Sequence, residues 1–252
     1  MDMKLCRQVK IFLSVIFWLA LWHAASVALK QEILLISPLL VVQKLTELVV
    51  QLDFWKSIFF SFIRVIGGFA AATALGIISA AGAFKSNVVK TLLQPPMSAI
   101  KATPVASYVI LCLVFVSSKN LSALISLFMV LPVVYTNILQ GLESVDAKLL
   151  EMAGVFRMGV KNRVKYIYIS QTVPYFLSAA TVSLGLCWKA GIAAEVIGIP
   201  RGSIGERLYM AKIHLDMRGL FAWTFVIILM SFAFEKALLS GIKKLVAYFE
   251  GR

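Results

Sequence analysis

The sequence is short of the residues that carry out chemistry. Three of its 252 residues are cysteine, and Cys6, Cys112 and Cys187 lie far apart, two of them inside apolar runs. That spacing supports neither a zinc site nor a disulfide framework. The two histidines, His23 and His214, have no neighbours at metal-ligand spacing. No cluster of His, Asp and Glu suggests a membrane-embedded enzyme. No glycine-rich loop followed by Lys-Ser or Lys-Thr is present, so the chain is not expected to bind ATP in the P-loop manner. The glycines of GIPRGSIG at 198–205 have no strand before them and do not change that reading. Acidic residues number 12 against 25 Lys and Arg, a formal charge of +13. In a soluble chain this balance would point to nucleic acid, but there is no Arg- and aromatic-rich polar face for bases to stack on, and no nucleic-acid partner is expected.

What the sequence has is apolar length. Hydrophobic residues make up 60% of the chain and its mean hydropathy is +0.89. A membrane-spanning helix needs about 20 mostly apolar residues, and several windows meet that. The expected fold is an all-α membrane bundle of about six spans. The first span is 11–29, which is too long for a signal-peptide core and is expected to be retained. Residues 31–56 contain Pro38 and read as an outer segment with a short helix lying along the membrane surface. The second span, 57–84, is dense in Gly and Ala, as in a helix packed inside a bundle. Pro95 and Pro96 make an uninterrupted helix across 85–103 unexpected. The third span, 104–116, is short. A tight polar turn at 117–120 returns the chain into a fourth span, 121–139, with Pro132 inside it. The fifth and sixth spans are 173–199 and 220–234. In domain terms, 1–30 is an N-terminal segment with the first span, 57–238 is the core and 239–252 is a tail; a loop at 140–172 interrupts the core.

Six spans place both termini on one side of the membrane. With the N-terminus inside, 15 of the 25 basic residues fall on the cytoplasmic side and 8 outside, so the positive-inside rule favours cytoplasmic termini. Three charged residues fall within spans: Arg64, Lys189 and Glu195. Intramembrane charges are costly and usually functional. Arg64 or Lys189 facing a pathway would favour an anionic solute; the competing reading is internal pairing that locks the helices, or snorkelling to an interface. Lys189 and Glu195 are six residues apart and cannot pair on one straight helix.

The polar interruption at 151–174, EMAGVFRMGVKNRVKYIYISQTVP, then falls in the cytoplasm. Leu149, Met152, Ala153 and Phe156 recur at the i, i+3, i+4, i+7 spacing of one helix face. The segment resembles the EAA motif of bacterial binding-protein-dependent ABC importer permeases. In that motif Glu-Ala-Ala, three residues, Gly, nine residues and Ile-x-Leu-Pro form a cytoplasmic coupling helix and its exit. Glu151, Met152 and Ala153 hold the first three positions, and Ile167 and Ile169 match the Ile and Leu. Arg157 replaces the Gly and Ser170 the Pro, although Gly159 and Pro174 lie close by, so the turn after the helix is where a departure is expected. SFIRVIGGF at 61–69 and AAEVIGIPRGSIG at 193–205 are similar to the nitrate, sulfonate, taurine and bicarbonate group, which includes thiamine-precursor systems.

The resemblance implies a type I importer bundle in the bacterial inner membrane, non-enzymatic alone, that moves a small solute inward. It implies a second permease copy, a substrate-binding protein outside, and ATPase subunits inside that bind ATP and Mg; no cofactor is expected in this chain. Leu149, Met152, Ala153 and Phe156 would fill a cleft of the ATPase, with Glu151 and Arg157 fixing orientation by charge and Gly159 lying in the exit. The competing reading of this helix is that it rests on the lipid of the inner leaflet. A stand-alone secondary transporter or channel is the alternative for the whole chain; it predicts an inverted repeat, and no convincing internal repeat is present.

Overall fold

The computed structural model describes residues 3–29 and 35–250. Residues 1–2, 30–34 and 251–252, the edges of three of the expected segments, lie outside the described residues. Among the described residues the chain is helical with no strand. The helices are α1 (Met3–Leu29), α2 (Pro38–Val49), α3 (Leu52–Lys85), α4 (Asn87–Ala102), α5 (Val105–Phe115) and α6 (Ser118–Glu143). They continue with α7 (Ala147–Val155), α8 (Val160–Arg163), a π-helical turn at Val164–Ile169, α9 (Ser170–Gly198), α10 (Ile204–Ile213) and α11 (Met217–Glu250). Among the described residues five helices are long and apolar enough to cross a membrane, and α4 with α5 makes a sixth if the pair, bent by 110°, is one broken span.

The core is built where α3, α6 and α9 meet. Small residues let these backbones approach, because lipid supplies no hydrophobic force to drive helices together and close packing must do so. A methyl group at Gly76 would come within 2.9 Å of Val134 Cβ, and one at Gly191 within 2.7 Å of both Ser126 Oγ and Val65 Cγ2. Around these contacts Val65, Ala72, Val130, Val134 and Leu184 are buried, and Trp188 lies beside Phe234 of α11. The small-residue pattern of the second span thus does what its composition suggests.

Several expected boundaries move. The second span starts earlier, at Leu52, inside the expected outer segment. α4 runs through Pro95 and Pro96, contrary to expectation, and the break falls at Thr103, which is extended (φ −84°, ψ 131°) before Pro104. The residue before a proline is driven out of the α region, and here that effect, rather than the proline pair, ends the helix. The expected loop 140–172 is largely helical, because the path from Val160 through the π turn to Gly198 is one span-length unit of 39 residues. The expected tail continues α11 to Glu250, with no proline in its sequence to stop it. None of the Phe12–Leu29 window of α1 is buried. It touches the rest of the chain through α2 and a stack of Trp22 on Phe221 with ring centres 6.0 Å apart.

Candidate functional site

α7 stands between the two most heavily packed helices, α6 and α9, yet is hardly packed itself. Its start is fixed by Asp146, whose Oδ1 accepts a hydrogen bond from the Lys148 N–H at 2.9 Å. That satisfies one of the four donors a helix leaves unpaired at its N-terminus. Its end is a Schellman turn. The Met158 N–H donates to the Ala153 carbonyl at 2.8 Å and the Arg157 N–H to the Gly154 carbonyl at 3.0 Å. The left-handed residue that this turn requires is Arg157, at φ 48°. The position where the EAA motif has glycine is therefore one where glycine is the unstrained residue, and this chain carries the strain of an arginine there.

The four residues expected to form one docking face do not share one. Ala153 is fully buried and points into this chain, and Leu149 is half-buried. Met152 is 45% exposed and Phe156 75%, and they are joined by Val155 at 81%. The outward apolar face is Met152, Val155 and Phe156. Periodicity located an apolar stripe but could not say which body it faces; Val155 was missed because it lies outside the stripe that includes Ala153. Glu151 and Arg157 are exposed, and no ion pair of Glu151 occurs among the described residues. Gly159 precedes α8 in an extended conformation. Ser170, at the motif's proline position, is helical (φ −58°, ψ −44°). Without the proline the exit is not a break but a π turn leading directly into α9.

At the opposite end of α9 the charged residues are consumed by packing. Glu195 is fully buried. Its Oε2 accepts from Ser61 Oγ at 2.6 Å and from the Gly205 N–H at 3.4 Å, and Ser61 Oγ accepts from the Ile204 N–H at 3.0 Å. Ser203 caps α10 by accepting from the Glu206 N–H at 2.9 Å, while Glu206 accepts from the Gly202 N–H at 2.6 Å. Arg64 donates from Nε to the Lys119 carbonyl and from Nη1 to the Phe60 carbonyl at 3.3 Å, with its guanidinium 3.4 Å from the centre of the Phe60 ring. Arg64 and Glu195 therefore fasten α3 to its neighbours. Lys189 is exposed on α9. The two stretches 61–69 and 193–205, distant in sequence, meet through Ser61, Glu195 and Gly205; that meeting had no local signal.

This arrangement, a bundle of apolar helices carrying a short capped helix with an uncovered apolar face on a connection between spans, is that of a multi-pass membrane subunit. The sequence profile described as binding-protein-dependent transport system inner membrane component matches residues 72–238. The chain belongs to that family, the permease subunits of ABC importers. It is 24% identical over 207 residues to a putative aliphatic sulfonates transport permease of Bacillus subtilis, covering 81% of this chain and 74% of that one. It is 26% identical over 156 residues to the nitrate import permease of Synechococcus elongatus, covering 61% and 55%. With the bicarbonate transport system permease of the same species it shares 25% over 146 residues, covering 57% and 52%. A crystal structure of an amino acid ABC transporter with histidines shares the fold at 18% identity, with a TM-score of 0.50 over 78% of this chain and 90% of that one. Membership makes the chain a multi-pass membrane subunit of a binding-protein-dependent transport system.

Proposed function

We propose that this permease moves a small anion inward and that α7 is the helix through which a separate ATPase, binding ATP and Mg, drives it. The observation that carries the coupling role is α7 itself: fixed at both ends by local hydrogen bonds, it presents Met152, Val155 and Phe156 largely uncovered among the described residues. Burying such side chains contributes up to about 2 kcal/mol each, the apolar share of an interface with a cytoplasmic subunit. A rigid helix seated in a cleft of that subunit converts its closure into movement of the spans. Because α7 is joined to α6 on one side and, through the π turn, to α9 on the other, displacement would reach the α6–α9 contact directly. Leu149 and Ala153 support the helix from behind, Glu151 and Arg157 set its orientation by charge, and Gly159 begins its exit.

The anion assignment draws on the relatives, whose names specify sulfonate, nitrate and bicarbonate. Two permease copies would enclose the pathway, α1 would lie in lipid at the edge, and both termini would be cytoplasmic, with the working core running from α3 to α11. The coupling role is tested with Glu151→Arg. We expect normal membrane insertion with loss of the ATPase from detergent extracts and loss of uptake; an ATPase that still co-purifies in normal yield would contradict it.

A further inference from the structure

On the transporter reading above, we propose that Lys189 sets the charge preference of the solute path. Its face of α9 meets the same face of a second permease copy across a water-filled gap, and the two ammonium groups hold an anion there. Of the three charged residues within spans, Arg64 and Glu195 are tied into the bundle. Lys189 has no hydrogen bond or ion pair among the described residues.

The depth of Lys189 follows from its neighbours. Ser61 and Arg64 of α3 are bonded to Glu195 and to the Lys119 carbonyl near the start of α6, so these four residues share one level at one end of the bundle. At the other end the Phe84 ring lies 5.6 Å from that of Tyr168, beside Lys85, the last residue of α3. The stretch 64–85 is about 31 Å of helix, which matches the hydrocarbon thickness of about 30 Å. Lys189 precedes Glu195 by six residues, about 9 Å of helix, and so lies within the hydrocarbon layer. Cα–Cβ bonds tilt toward the N-terminus of their helix, and α9 begins at the Tyr168 end. Lys189 therefore leans from the nearer surface toward the midplane, which is the wrong direction for snorkelling to that surface.

Exposure at that depth means facing lipid or another protein. α1 is made for lipid: its Phe12–Leu29 window is uncovered and holds no Lys, Arg, Asp or Glu. The uncovered stripe of α9 is different. Ser178, Val182, Leu186, Lys189 and Ala193 are exposed and recur at the four- and three-residue steps of one helix face. Gly185 beside them would meet nothing within 4 Å if it carried a methyl group. A free ammonium turned to hydrocarbon is costly, so lipid is not what covers this stripe. The occupant is the second copy that the transporter reading requires, and in a two-fold pair the same patch serves both subunits. Two Lys189 ammonium groups brought face to face repel each other. The two faces therefore do not close dry; the space between them holds water, and a small oxyanion lying between the two cations relieves the repulsion. A cation entering the same gap meets like charge on both sides.

The test uses the full chain with its ATPase in lipid nanodiscs, carrying Cys6→Ser and Leu186→Cys; Cys112 and Cys187 are buried, and the chain without Leu186→Cys is the background. Leu186 is exposed on the same face, about one turn from Lys189 toward the midplane. Labelling is followed with an anionic and a cationic methanethiosulfonate, both of which modify thiols in water, and the rates are referred to those of 2-mercaptoethanol. We expect Leu186→Cys to be labelled, with an anionic-to-cationic rate ratio above that of 2-mercaptoethanol. Lys189→Met should lower the ratio about tenfold, while Lys189→Arg keeps it. A long bis-methanethiosulfonate should join two permease copies through Leu186→Cys, and Phe17→Cys on the lipid face of α1 should stay unlabelled. The proposal is overturned by an unlabelled Leu186→Cys, by Phe17→Cys labelled as fast, by a ratio that Lys189→Met leaves unchanged, or by a cross-link that joins no second copy. Should Lys189→Met fail to fold, the ratio in the Lys189 chain against 2-mercaptoethanol decides alone. Absence of the ATPase from every preparation would instead overturn the transporter reading, whereas ATPase present with a dry or charge-blind Leu186→Cys overturns only the role of Lys189.

Discussion

α7 and α10 are close to the same helix built twice, at opposite ends of α9. They have nine and ten residues, each begins on a side-chain cap, Asp146 or Ser203, and each ends in a Schellman turn on a left-handed residue that is not glycine, Arg157 or Leu215. What differs is what lies beneath them. α10 buries Ile204, Gly205 and Ala211 and is tied by backbone N–H groups to Glu195 and Ser61, whereas α7 buries only Ala153. Local capping makes both helices persist; tertiary packing decides that one belongs to this chain's interior and leaves the other uncovered. A short helix without a packed face is marginal in isolation, so α7 is held by its caps and its two flanking helices until something covers it.

The largest effect should come from breaking the α10 side. Glu195→Ala strips the acceptor from Ser61 and Gly205 in a fully buried site, and leaving such groups unpaired costs about 3 kcal/mol. Thermal unfolding in detergent should show a clear loss, smaller in Glu195→Gln, which keeps an acceptor. On the α7 side, Met152→Ser with Phe156→Ser should leave that unfolding temperature unchanged while weakening ATPase retention about tenfold, as expected when partly exposed apolar anchors worth about 1.4 kcal/mol together are lost. Asp146→Ala removes the cap and should cost about 1 kcal/mol of local helix stability, seen as faster amide exchange confined to α7. The smallest effect has the opposite sign. Arg157→Gly relieves the left-handed strain, about 1 kcal/mol, and should slow exchange in α7 slightly.

The comparison also shows what sequence reading can reach. Span number, the tight packing of the 57–84 helix and the position of α7 were legible, because hydropathy and small-residue density act over whole turns of helix. The facing of α7 was not, since periodicity fixes a stripe without saying what lies opposite; Ala153 and Val155 exchanged places for that reason. Neither was the Glu195 cluster, whose bond to Ser61 joins residues 134 positions apart. The Arg157 turn was half legible. The departure from glycine was visible, but its left-handed geometry depends on hydrogen bonds that an arginine does not advertise. At Pro95 and Pro96 a local rule lost to its context, and the same rule held at Thr103 and Pro104.

The most direct test of the central claim is site-directed cross-linking in membranes with a cysteine placed on each of the two matched helices. Val155→Cys should cross-link to the ATPase subunit, in a yield that changes on adding ATP, while Leu215→Cys, also exposed, should give no such product. Cross-linking of the ATPase from Leu215→Cys, or none from Val155→Cys in a complex that retains its ATPase, would contradict the assignment of α7 as the coupling helix.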